Sequence, residues 1–292
     1  MLSLRAGYDT LRYWKALQRV AVDHATAVDQ MRLRAELQRH CRDLTALLDR
    51  VESDGVAVVP GYWSDERCAQ ARAEIDRLLL DHPDAVRKYS RGADKRMYGV
   101  ESVSALLADF HSDPFLRGFG EICGGLALYN LATLGARIDA TPENNGSGDG
   151  WHRDAHGYQF KSILYLSDVS EGNGPFEYLR GSHRAWRAAF DTVIGGLPLP
   201  PNSRYEPAMV ERIARGPART RYFIGRAGTL LLVNTAGVHR GRPLGGGTRH
   251  ALTNYYYHPF QVDEDRIRQF LPLMPGTAER IRRDLSLAGT GG

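Results

Sequence analysis

His152, Asp154 and His239 are the residues of this chain whose types and spacing can do chemistry. Two imidazoles and one carboxylate are the three protein ligands that hold a non-haem Fe(II) on one face and leave the other face open. Ten positions after the second histidine stands Arg249. Its guanidinium presents a planar fork of donors matched to a carboxylate, such as that of a keto-acid co-substrate. If these four residues converge in space, the chain is equipped for oxygenase chemistry.

The His-x-Asp spacing alone is weak, because His82-Pro83-Asp84 and His111-Ser112-Asp113 repeat it. Context separates the three. His82 stands at an expected helix C-terminus before proline, where it complements the helix dipole. Asp113 is placed to cap a helix opened by Pro114. His152-Arg153-Asp154 instead joins the Gly- and Asn-rich stretch 141–150 to an expected strand. Side chains at i and i+2 of a strand share a face, so both ligands can reach one ion while Arg153 points away. The distal histidine has a matching setting, since the strand Thr229-Leu230-Leu231-Leu232-Val233-Asn234 leads to it through Thr235-Ala236-Gly237-Val238.

The elements that must position these residues change in kind along the chain. Residues 10–50 read as one or two amphipathic helices, with Leu11, Trp14, Leu17 and Val20, then Met31, Leu33, Leu37, Cys41 and Leu44, at helical spacing. Such a stripe suits packing on the rest of the protein or on a second subunit. A short strand at Val56-Ala57-Val58-Val59 follows, then a helix to about Leu80 that Ser64 caps. Residues 84–97 are polar and basic and read as a loop, and two short helices are expected around 101–109 and 113–122. From 126 onward the pattern becomes strands at 126–138, 158–166, 176–179, 222–224, 229–234 and 251–258, separated by Gly, Asn, Asp and Pro. Residues 195–207 form an irregular insertion long enough to be a lid. Helices first and strands later predict an all-β core with helical buttresses, a mainly β (α+β) class rather than a doubly wound sheet.

Composition narrows the remaining classes. The 292 residues suit one large domain, or a domain with an extension, and the net charge of +4 is small for this size. The basic residues are scattered and no nucleic-acid-binding signature accompanies them, so no nucleic-acid partner is expected. No apolar run approaches the ~20 residues that cross a bilayer, so no membrane partner is expected, and the N-terminus lacks a secretion signal's apolar core. A cytoplasmic protein is the expectation. Cys41, Cys68 and Cys123 are odd in number and widely spaced, which excludes a disulfide framework and a thiolate zinc site. The glycines 245–247 lack the Lys-Ser/Thr ending of a phosphate-binding loop.

The stretches WHRDAHGYQFKSILYLSDVSEGNGPFEYLRGSHR and GTLLLVNTAGVHRGRPLGGGTRHALTNYYY resemble the phytanoyl-CoA dioxygenase-like family of Fe(II)/2-oxoglutarate-dependent oxygenases. The resemblance covers about residues 50–260. It implies a double-stranded β-helix core, a jelly-roll and cupin-like fold, expected over 51–292; residues 1–50 lie outside the match and are expected, from their own periodicity, as an N-terminal helical extension. It also implies His152, Asp154 and His239 as Fe(II) ligands and Arg249 as the partner of the distal carboxylate of 2-oxoglutarate, with O2 as the other co-substrate. Several relatives carry a serine two residues after the distal histidine, and here that position is Gly241. Thr248, or Lys161 on a neighbouring strand, is then expected to take its place. His156 is expected beside the metal ligands without being one of them.

The implied activity is hydroxylation of a small organic metabolite, with 2-oxoglutarate decarboxylated to succinate and CO2. Desaturation, demethylation or ring formation are open to the same oxidant. The intact Asp154 carboxylate argues against a halogenase. Arg87, Lys88, Arg91, Lys95 and Arg96 could draw an anionic substrate to the mouth of the site, and Tyr158, Phe160 and Tyr255–Tyr257 could form its aromatic walls. Two other readings use the same residues: a metal-dependent hydrolase or isomerase, and a barrel that binds a small molecule without catalysis.

Overall fold

The computed structural model describes residues 28–142, 146, 150–155, 157–197, 204–214 and 219–288. The expected helix over residues 10–27, the middle of the insertion (198–203) and His156 lie outside the described residues. The chain starts with α1 (Gln30–Gln38), whose N-cap Asp29 side chain accepts from Arg32 N, and α2 (Leu44–Asp54). Gly55, at φ 93°, ends α2 in the left-handed conformation that glycine tolerates best, and turns the chain straight into β1 (Val56–Val59). Next come α3 (Asp65–Asp81), capped by Ser64, then β2 (Val86–Tyr89), β3 (Asp94–Tyr98), α4 (Ala105–His111) and α5 (Pro114–Gly124). The β-rich half holds β4 (Tyr129–Asp139), β5 (Trp151–His152), β6 (Phe160–Tyr165), β7 (Phe176–Leu179), β8 (Arg204–Tyr205), β9 (Thr220–Phe223), β10 (Leu230–Asn234), β11 (His239–Gly241) and β12 (Thr248–Tyr257). Helices α6 (Ala185–Val193) and α7 (Pro207–Ala214) interrupt it, and α8 (Glu264–Gln269) and α9 (Thr277–Ala288) follow it.

Two antiparallel sheets result. The larger runs β1-β10-β6-β12-β4-β3-β2 and the smaller β8-β5-β11-β7-β9, the two-sheet plan of a jelly roll. Alternation along each strand divides the larger sheet into two faces. Phe160, Leu164, Leu230, Leu232, Leu252 and Tyr256 pack outward against Leu37, Leu48, Ile75, Leu107 and Phe119 of the helices. The described N-terminal helices therefore share the main core. The residues in between, Val56, Tyr165, Leu231 and Val233, face inward and meet Phe176 and Tyr178 of the smaller sheet. The C-terminal helices cover another part of the larger sheet, where Val262, Ile267, Phe270 and Ile281 pack with Tyr98, Ala132, Leu134 and Ala136.

Two segments depart from the sequence reading. Residues 84–97, expected as a loop, contain the antiparallel pair β2 and β3, which extends the larger sheet beyond β4. A charged edge strand hides the apolar alternation that marks a strand, and charge at an edge also discourages pairing with another chain. The end of the 195–207 insertion is likewise not irregular: Trp151 and His152 of β5 pair with Tyr205 and Arg204 of β8. No helix among the described residues is long and apolar enough to cross a membrane.

Candidate metal centre

The smaller sheet brings the two histidines side by side. β5 and β11 are antiparallel neighbours, and His152 and His239 are register partners. Their rings are 4.3 Å apart, centroid to centroid. Asp154 follows β5 by two residues, and its backbone N–H donates to Thr235 O at 3.1 Å, which holds the turn against the segment leading into β11. His152 Nε2 lies 3.6 Å from Asp154 Oδ1, and His239 Nε2 lies 3.4 Å from Asp154 Oδ2. Ligands bound to one metal at about 2.1 Å and at right angles sit about 3 Å apart, so these spacings suit one ion. Among the described residues this is the only group of three or more such side chains placed to hold a metal, all ligand atoms lying within 4.8 Å of one another.

Hydrogen bonding fixes which nitrogen of each ring is available. His152 Nδ1 is 2.8 Å from Gly150 O, and His239 Nδ1 is 2.8 Å from Gly237 O. A carbonyl only accepts, so each Nδ1 carries a proton and donates, which turns Nε2 of both rings toward Asp154. Burial, and then the neighbouring His239, push the His152 imidazole down to about 3, so it is neutral throughout the physiological range. Burial works to raise the Asp154 carboxyl, but Lys161 and the two histidines outweigh it and hold it well below the usual carboxylate range. Two imidazoles and one carboxylate make the donor set that Fe(II) favours.

Arg249 is buried on β12, in register with Ile138 of β4. Burial pulls its guanidinium pKa down, with Tyr165 and Asp94 acting the other way. Its Nε has no hydrogen-bond partner among the described residues. Gly174 makes room for it: a Cβ built there would lie 3.1 Å from Arg249 Nη1 and 2.5 Å from Leu244. A buried cation with a donor to spare, facing a glycine, suits a carboxylate.

The other expected residues divide. Lys161 belongs with the centre, its Nζ 2.7 Å from Asp154 Oδ2 and 4.1 Å from the Tyr255 ring centroid. Thr248 does not. It adjoins Arg249 on one strand, so it faces the opposite side, where it is exposed and donates to Asp139 Oδ1 at 2.9 Å. The expectation that it replaces the missing serine is therefore corrected. Gly241, at that serine's position, pairs with Phe176. Among the expected aromatic walls, Tyr255 faces Lys161 on the inner side, whereas Phe160 and Tyr256 belong to the outer, helix-facing core. Tyr158 turns to α5, donating to Gly120 O at 2.7 Å.

Residues 51–251 match the family model of phytanoyl-CoA dioxygenase (PhyH). The chain belongs to that family of Fe(II)/2-oxoglutarate-dependent oxygenases. This PhyH-family chain is 25% identical over 218 residues to an ectoine dioxygenase of Nocardia farcinica, spanning 66% of this chain and 70% of that protein. It is 27% identical over 154 residues to an ectoine dioxygenase of Stutzerimonas stutzeri, spanning 47% of this chain and half of that protein. Among solved structures, the epimerase SnoN in complex with Fe3+, alpha ketoglutarate and nogalamycin RO shares the fold at TM-score 0.59 and 19% identity, over 81% of this chain and 91% of that one. EctD from S. alaskensis with bound Fe matches at TM-score 0.56 and 15% identity, over 73% and 76%.

Three residues of this PhyH-family chain, from a stretch the sequence reads mainly as a hairpin and its turn, support the centre. Tyr178 stacks on His239 at 6.3 Å with 18° between the rings, and its hydroxyl donates to Asn234 O at 2.8 Å. Phe176 packs on the same imidazole at 5.4 Å. Ser182 Oγ accepts from Val238 N at 2.8 Å, one residue before His239. Their signal in the sequence was the GPFEYLRGSH hairpin, which reads equally well as turn formation alone.

Proposed function

We propose that this chain is an Fe(II)/2-oxoglutarate-dependent dioxygenase that hydroxylates a small organic metabolite and converts 2-oxoglutarate to succinate and CO2. In this reading His152, Asp154 and His239 hold the iron, and Arg249 holds the distal carboxylate of 2-oxoglutarate through charge-assisted hydrogen bonds. The observation that carries it is the convergence of two Nε2 atoms and one carboxylate, with the buried Arg249 farther along the inner face.

Bound iron and its co-substrate would supply the oxidative chemistry, which belongs to the cofactor and not to the protein. The chain's own residues orient and seclude. The carbonyls of Gly150 and Gly237 fix both imidazole tautomers, while Phe176 and Tyr178 hold the His239 ring plane. Lys161 supplies a positive charge beside Asp154, placed to meet a second anionic group near the metal.

The basic stretch gives limited support for an anionic substrate, because Arg87, Lys95 and Arg96 are all engaged within the protein. Arg96 forks onto Asp94, Lys95 binds Asp139, and Arg87 donates to the carbonyls of Gln269 and Leu271. Lys88 is exposed. Ectoine, the compound in the relatives' names, is the first substrate to test, with other small metabolites after it. Fe(II) and 2-oxoglutarate added without oxygen should produce a weak visible charge-transfer band, and oxygen should then yield succinate. Both signals should vanish in Asp154→Ala. Failure of the wild-type protein to bind Fe(II) would remove the oxygenase reading.

A further inference from the structure

Arg153 stands between two of the proposed metal ligands, and its side chain leaves the metal entirely. Its guanidinium is directed instead to Ser182, Ala236 and Asp191. It does not reach solvent: its side chain is only 4% exposed. Nη1 donates to two carbonyls, Ser182 O and Ala236 O, each at 2.6 Å. Nη2 lies 3.8 Å from Asp191 Oδ2 on α6, a carboxylate 1% exposed whose Oδ1 is 2.8 Å from Arg187 Nε.

The carbonyl partners lie on the two segments that set the distal ligand. Ala236 is in the approach to His239. Ser182 closes the same approach from the other side, since its Oγ accepts from Val238 N. The backbone ladder here is short, with His152 and His239 the only register pair between β5 and β11. The Asp154 N–H to Thr235 O bond adds one further tie. Two charge-assisted bonds from a buried guanidinium are thus a large share of what fixes one ligand segment against the other.

We propose that Arg153 is a positioning residue for the metal centre, clamping the segment that carries His152 and Asp154 to the one that delivers His239, and that Asp191 anchors the clamp from α6. The inference rests on the metal reading above. It gives α6, which runs into the 195–207 insertion through Leu197 N donating to Asp191 O at 3.1 Å, a physical connection to the ligands. A partner that orients metal ligands typically changes metal affinity 10- to 100-fold when altered.

The test uses the full chain and Co(II), whose visible ligand-field spectrum reports coordination geometry. Arg153→Lys keeps the charge but cannot reach both carbonyls, and Asp191→Asn keeps the shape but removes the anchor. We expect Co(II) to bind Arg153→Lys about 10- to 100-fold more weakly with an altered spectrum, and Asp191→Asn to shift both measurements in the same direction. Arg280→Lys is the control. It weakens a different buried cluster, in which Arg280 bonds Glu101 and Leu131 O, and should lower the melting temperature while leaving Co(II) affinity and spectrum unchanged. Folded Arg153→Lys with wild-type Co(II) affinity and spectrum overturns the proposal. If that variant does not fold, wild-type behaviour in Asp191→Asn overturns the anchoring and with it the clamp. A wild-type protein that binds no Co(II) overturns the metal reading itself, a separate result.

Discussion

Neighbouring residues on one strand have opposite fates here, and the parity of a strand decides which. Arg249 faces inward and is buried, while Thr248 is exposed and tied to Asp139. Arg249→Lys should therefore raise the KM for 2-oxoglutarate by about tenfold or more, since an ammonium cannot reproduce the planar fork. Thr248→Ala should leave that KM within about twofold, because its hydroxyl bonds on the other side of the sheet. Steady-state succinate formation at varied 2-oxoglutarate measures both. Equal effects from the two variants would place the carboxylate somewhere other than Arg249.

Elements, rather than single ligands, set the shape of the centre. The hairpin ahead of β7 turns at Gly174, φ +77°, brings its backbone against Arg249, and then lays Phe176 on His239. A methyl group at Gly174 would meet Leu244 Cδ1 at 2.5 Å and Arg242 O at 2.7 Å, in a conformation that L-residues rarely adopt. Gly174→Ala is expected to cost about 1–3 kcal/mol of stability and to weaken 2-oxoglutarate binding at the same time. Denaturant melts and a 2-oxoglutarate titration test the pair of effects. An unchanged melting curve would mean that the turn relaxes without strain.

Across the whole molecule, partly buried histidines make stability depend on pH. Burial, with a contribution from Arg280, lowers His111 to about 3, and burial lowers His183 to about 4. Neither is a candidate metal ligand. Below the ordinary value near 6.5 the unfolded chain takes up protons that the folded chain refuses, so stability falls as pH falls. Between pH 7 and 5.5 each histidine should remove about 1 kcal/mol from the metal-free protein. His183→Asn, able to keep a donor to Glu52 O, should remove its own share of that slope. Urea denaturation at the two pH values measures it, and an unchanged slope in the variant would rule His183 out as a contributor.

The sequence by itself determined the chemistry on offer and most of the elements that carry it. Donor types are written in the residues, and the shared face of His152 and Asp154 follows from a period of two within one segment. The family resemblance extended that to the jelly-roll topology and to 2-oxoglutarate as the expected partner of Arg249. Only the tertiary structure decided what depends on long-range pairing. It set His239 opposite His152 through the antiparallel fit of β5 and β11, placed Lys161 beside Asp154, and carried Arg153 to carbonyls on two distant segments. It also made a sheet edge of the charged stretch 86–98, whose side chains gave no apolar alternation to read. A strand's own residues fix which of its side chains share a face, but what that face meets is set by partners far away in the chain.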